Sequence, residues 1–118
     1  MQITDAELKK ALINAIADDQ SLRILTYTNS RPRSVIDLVK YCAIPHTTAY
    51  RLVNDLKDQG LLVVEKLMLS SDGKKYALYR STFKSVTVNL CGDKIEVDAA
   101  PNLDIKDKAF KLFFSLKG

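Results

Sequence analysis

The densest set of side chains able to do chemistry lies in the run His46-Thr-Thr-Ala-Tyr-Arg-Leu-Val-Asn54. His46, Thr47, Thr48, Tyr50, Arg51 and Asn54 bring an imidazole, hydroxyls, a guanidinium and an amide close together. Such groups read nucleic acid. A guanidinium forks onto guanine O6 and N7 or onto a phosphate, an amide pairs with adenine, and hydroxyls bond either. The positions between them, Ala49, Leu52 and Val53, with Leu56 one turn on, recur at i, i+3, i+4 and i+7, which is one buried stripe of a helix. That combination predicts a DNA recognition helix over about 46–58. Each residue also has a plainer reading. Arg51 can pair with Asp55 four residues on, Tyr50 can lie over the hydrophobic rim, and Thr47 and Thr48 can cap the helix's own amides.

Other chemistry finds little to build on. The chain has 118 residues with one histidine, so a triad or a His-rich metal site would rest on His46 alone. The two cysteines, Cys42 and Cys91, show no metal-type spacing and read as small, partly buried side chains. The four glycines are scattered and form no phosphate loop. No catalytic residue, metal or cofactor is expected, and the chain does not read as an enzyme. No apolar run approaches the roughly 18 residues of a membrane span, and the first residues lack the zones of a signal peptide. A soluble, cytoplasmic protein is the expectation.

The net charge of +4 is unevenly placed. Residues 1–30 carry four acids and three bases, residues 31–84 five acids and ten bases, and residues 85–118 five of each. The positive excess therefore falls in the segment holding the recognition helix, which favours a polyanionic partner over a merely solvated basic face.

The elements that must position this helix follow from capping and periodicity. Thr4 with Glu7 predicts a capping box opening a first helix, with Leu8, Ala11, Leu12, Ala15 and Ile16 as its stripe. Asp18, Asp19 and Ser21 offer a break and a new N-cap for a second helix, closed by Arg31-Pro-Arg33. Ser34 and Asp37 cap a third helix whose Val35, Leu38, Val39 and Cys42 face inward. A turn at Ala43-Ile44-Pro45 feeds the recognition helix, with the proline in its first turn, and Gly60 supplies a left-handed stop. Residues 61–69 and 76–83 then read as strands around an Asp72-Gly73 turn, whose loop, about 70–75, carries Lys74 and Lys75.

Residues 21–83 resemble the winged helix-turn-helix regulators of bacteria and archaea, in the broad style of the ArsR and IclR families. The residues that carry the likeness are Leu22-Arg-Ile-Leu25, Ser34-Val-Ile-Asp-Leu38, Thr47-Thr-Ala-Tyr-Arg-Leu52, Gly60-Leu-Leu62 and Asp72-Gly-Lys-Lys-Tyr76. The resemblance implies an α+β winged helix in residues 1–84 that binds double-stranded DNA as a homodimer. His46, Thr47, Thr48, Tyr50 and Arg51 would lie in the major groove, and Lys74 and Lys75 on the backbone or in the minor groove. Arg31 and Arg33, ahead of the third helix, are further candidates for phosphate contact. Metal sensing is not implied, since no Cys-x-Cys pair or His/Asp ligand set appears. No small-molecule effector can be read from the residues.

Residues 85–118 form a C-terminal extension. Strands over 85–90 and 94–99 joined at Gly92-Asp93 pair Cys91 with Lys94, Leu90 with Ile95, Val88 with Val97 and Val86 with Ala99, which places every apolar side chain on one face. Asp104 then caps a final helix reaching Leu116. Its Phe110, Phe113 and Phe114 exceed what one buried helix face accommodates, and the expectation is a dimerisation element, against an intramolecular core as the alternative. A competing function is a winged helix used as a protein-docking module in a larger assembly, without operator binding.

Overall fold

The computed structural model of the protein describes residues 1–105. Four helices come first, α1 (Ala6–Ala17), α2 (Asp19–Tyr27), α3 (Val35–Tyr41) and α4 (His46–Asp58). Two hairpins follow: β1 (Leu62–Leu69) with β2 (Lys75–Ser81), then β3 (Phe83–Cys91) with β4 (Lys94–Pro101). This is the α+β layout of a winged helix extended by a second hairpin.

Local signals set most of the boundaries. Asp18 closes α1 and caps α2, its backbone N–H reaching the carbonyls of Asn14 and Ala15 while its carboxylate accepts from the Ser21 amide at 2.9 Å. Hydrogen bonds from the Ser21 hydroxyl and then its amide hold the Asp18 carboxyl below its usual range, with the Arg51 charge adding to them. Ser34 and Asp37 form the predicted capping box at α3. At the end of α4, Gly60 takes φ +83° and its N–H reaches the Lys57 carbonyl at 3.0 Å. Leu61 N–H reaches Leu56 at 2.8 Å, completing a Schellman stop that turns the chain straight into β1.

Other boundaries moved, each because a tertiary contact overrode the local signal. The first helix is capped by Asp5 rather than Thr4, because Ile3 is pinned in extended backbone by its N–H bond to Val97 at 2.8 Å. α2 stops at Tyr27, ahead of Arg31-Pro-Arg33. There the Thr28 hydroxyl turns back to the Ile24 carbonyl at 2.8 Å and meets Ser81 Oγ at 2.9 Å. Pro45 precedes α4 as its N-cap instead of entering the first turn. The second strand ends at Ser81, where Thr82 N–H bonds Leu61 and bends the chain before β3.

One core joins the helices and both hairpins. Ile24, Leu38, Ala49, Val53, Leu56, Leu61 and Leu62 are buried with Ile3, Val97 and Ala99. The register of β3 with β4 is the predicted one, from Cys91–Lys94 through Leu90–Ile95 and Val88–Val97 to Val86–Ala99. Residues 1–3 lie along the free side of β4 through a single antiparallel bridge, Gln2 opposite Asp98, with Ala99 N–H bonded to the Met1 carbonyl. Cys42 is buried, whereas Cys91 is exposed at the tip of a hairpin that projects beyond the core. The predicted final helix, with Phe110, Phe113 and Phe114, lies outside the described residues.

Candidate nucleic-acid interface

α4 sits on the core by the stripe that the sequence marks: Ala49, Leu52, Val53 and Leu56 are all buried. The residues between them face outward. His46, Thr47, Tyr50, Arg51 and Asn54 are exposed and Thr48 is half-buried. No side chain caps the helix start, so the amides of the first turn keep their hydrogen-bonding capacity for an outside acceptor, where the helix dipole favours an anion. Thr47 and Thr48 therefore do not spend their hydroxyls on capping.

Neighbouring elements aim the outward side chains. The His46 ring meets Tyr50 edge-on, with centroids 4.8 Å apart. Tyr50 leans toward β2, where burial and the neighbouring Tyr50 raise the Tyr79 hydroxyl above its ordinary range. Arg51 turns the other way. Its guanidinium stands 3.7 Å from Asp55, both largely exposed, and lines a polar cleft with Asp18 and Gln20. The i,i+4 pair foreseen as its plainer reading is thus formed, in a solvated geometry that is weak and easily exchanged for a phosphate.

The wing is built by a compact turn. Ser70 N–H bonds the Lys74 carbonyl at 2.8 Å, Gly73 N–H returns to Ser70 at 2.9 Å, and Gly73 takes φ +83°, which favours glycine. The Ser70 hydroxyl and Lys74 amide hydrogen-bond Asp72 and hold its carboxyl low. Lys74, on this loop, and Lys75, which opens β2 one residue earlier than expected by pairing with Leu69, are both exposed. At the wing's base a bulge in β1 at Glu65 re-aims that carboxylate onto Arg80 Nη1 at 3.0 Å, with both side chains buried.

Arg31 and Arg33 separate in the structure. Arg31 is exposed. Arg33 is half-buried, pairs its backbone with Tyr79 in both directions, and lays its guanidinium over the Tyr27 ring, 4.1 Å from the centroid. Tyr27 stacks on Tyr41, and Lys40 lies over Tyr41 in turn. This four-residue stack was missed from sequence, because its members come from two helices and the loop between them, and no local pattern links them. Among the described residues, no group of histidine, cysteine and acidic side chains could hold a metal ion, and no helix is long and apolar enough to cross a membrane.

A helix-turn-helix followed by a lysine-tipped hairpin defines a winged helix protein. The segment from the N-cap of α2 into β1, residues 18–67, matches the MarR family, a family of winged helix DNA-binding transcription regulators. The broad likeness to winged helix regulators thus narrows, over the helix-turn-helix itself, to the MarR type. No curated protein matches the chain at a significant level.

Proposed function

We propose that the protein is a sequence-specific regulator that binds double-stranded DNA as a homodimer in the cytoplasm of a prokaryote. α4 enters the major groove and the wing rests on the backbone or minor groove. The observation that carries this reading is α4 itself, with its apolar stripe wholly buried, its polar row exposed and its first-turn amides left uncapped. In this reading Arg51 and Asn54 face base edges, while Thr47, Thr48 and the first-turn amides take phosphate. His46 and Tyr50 act as one edge-on pair at the groove wall. Arg31, Lys74 and Lys75 supply sequence-independent contacts, and Arg33 places Arg31 by tying the loop to β2. Phe110, Phe113 and Phe114 contribute to the subunit interface.

Titration with labelled duplex tests the reading. Affinity should fall steeply with salt, with a log–log slope of magnitude roughly 4–8 for a dimer that neutralises as many phosphates. A slope near zero sinks it. That outcome would favour a protein-docking module, which draws on Leu67 and Leu69, two exposed leucines on one face of the wing.

A further inference from the structure

Strand β3 has an open edge with an unguarded composition. From Ser85 to Cys91 it reads Ser-Val-Thr-Val-Asn-Leu-Cys, with neither charge nor proline, the devices that ordinarily stop an edge strand from pairing with another chain. β1 is also an edge strand, yet it carries a bulge and the charges of Glu65 and Lys66. Asn29 covers the foot of the β3 edge, its Nδ2 donating to the carbonyls of Phe83 and Lys84. Among the described residues, no hydrogen bond outside the β3–β4 ladder reaches the backbone of residues 85–91.

Apolar surface lies beside this edge. Val88, Leu90 and Ile95 share the inward face of the hairpin but run past the core, 43%, 78% and 43% exposed, and Leu90 is the most exposed large apolar side chain described. A groove of about 230 Å³ runs between the helices and the start of β3, lined by Ile16, Leu22, Leu25, Phe83 and Val86 among others.

We propose that β3 is the seam of a two-fold dimer, its open edge pairing antiparallel with β3 of a second copy around Val88. The inference rests on the homodimer reading above and says which surface makes it. The register follows from the hairpin. A two-residue loop closes on a hydrogen-bonded pair, here Cys91 with Lys94, and such pairs alternate along an antiparallel ladder. Residues 87, 89 and 91 therefore turn their amides and carbonyls toward β4, while Val86, Val88 and Leu90 turn theirs to the open edge. Centring the two-fold axis on Val88 is the register that uses all three, pairing Val88 with itself and Val86 with Leu90. A shift by one residue either way leaves one of them facing a turn or the foot that Asn29 covers.

In this register directly opposed side chains share a face, so the two apolar faces become continuous. Leu90 of each copy arrives opposite Val86 of the other, at the mouth of the groove. That self-complementarity is what commits the surface to a second copy, because one strand supplies both the knob and the lip of the hole. Stable interfaces bury about 1,200–2,000 Å² in total, so the seam needs the two filled grooves beside its ladder.

The test uses the full chain with Val88→Cys in a Cys91→Ser background under mild oxidation. Paired residues at a two-fold axis lie within disulfide reach, so most chains should become covalent dimers, and Asn89→Cys in the same background should cross-link about tenfold more slowly. Native Cys91 should not cross-link, since the register holds the two Cys91 Cα atoms about 20 Å apart. Leu90→Lys, at an exposed position, should raise the dimer dissociation constant about 30-fold or more by light scattering. A dimer that neither cross-links through residue 88 nor responds to Leu90→Lys overturns the seam and leaves the homodimer reading standing. Ready cross-linking through native Cys91 overturns the register. A full-length chain that is monomeric at micromolar concentration overturns both the seam and the homodimer.

Discussion

Replacing Glu65 by alanine removes the carboxylate that neutralises a buried guanidinium at the base of the wing. Arg80 is 4% exposed, its Nη1 bonds Glu65 at 3.0 Å, and its Nε donates to the Asn29 carbonyl at 2.8 Å. The second carboxylate in reach, Asp104, stands 3.7 Å from Nη2 and is more than half exposed, so solvent screens it. Breaking a buried pair by deleting one partner costs about 3–5 kcal/mol, since the remaining charge stays in the interior uncompensated. With the Asn29 bond and the screened Asp104 retained, the lower end applies, about 3 kcal/mol. For a chain of this size that is a fall in Tm of roughly 10 °C. Urea titration followed by circular dichroism reads the difference, and Glu65→Met with Arg80→Met should recover all but about 1 kcal/mol of it, because an apolar pair has no charge to strand. A Glu65→Ala chain within 1 kcal/mol of the native protein would show that water reaches Arg80 and that the pair does not anchor the wing.

Arg51→Ala should cost about 1–3 kcal/mol on the preferred DNA sequence and blur selection at one or two base pairs, whereas Lys74→Ala with Lys75→Ala should weaken all sequences alike and flatten the salt slope. Selection of bound duplexes by each variant checks this, and a wing pair that altered sequence preference would reverse the assignment. Gly60→Ala should destabilise by about 1 kcal/mol through backbone conformation alone, since φ is +83° and a Cβ there meets nothing within 4 Å. Gly60→Asn should lose less. Asp18→Ala should cost about 1 kcal/mol at neutral pH by uncapping α2. The folded Asp18 carboxyl sits below its usual range, so its contribution is complete above the unfolded value near 4 and is lost as pH falls through the folded one. Denaturation curves of the native and Asp18→Ala chains should therefore draw together as the pH is lowered through that range; a gap that does not narrow in acid would assign the loss to packing.

Local rules carried the sequence reading a long way. The i, i+3, i+4, i+7 stripe of α4, the capping box at Ser34 and Asp37, the Gly60 stop and the β3–β4 register from Cys91–Lys94 to Val86–Ala99 were legible because each depends on residues a few positions apart. The winged helix and the exposed row on α4 follow from them, as helix periodicity decides which side chains are left outside once the stripe is buried. What only the tertiary structure decided involves partners far apart in the chain. Ile3 on Val97 moved the first cap from Thr4 to Asp5. Thr28 on Ser81 ended α2 four residues before its proline signal, and Tyr27 with Tyr41 drew Arg33 into a half-buried stack. The aim of the interface side chains is of the same kind. Arg51 turns toward Asp18 and Asp55, and Tyr50 toward Tyr79, because of what α1, α2 and β2 place beside α4. Periodicity says that a side chain faces outward; only the packed neighbours settle the direction in which it then points.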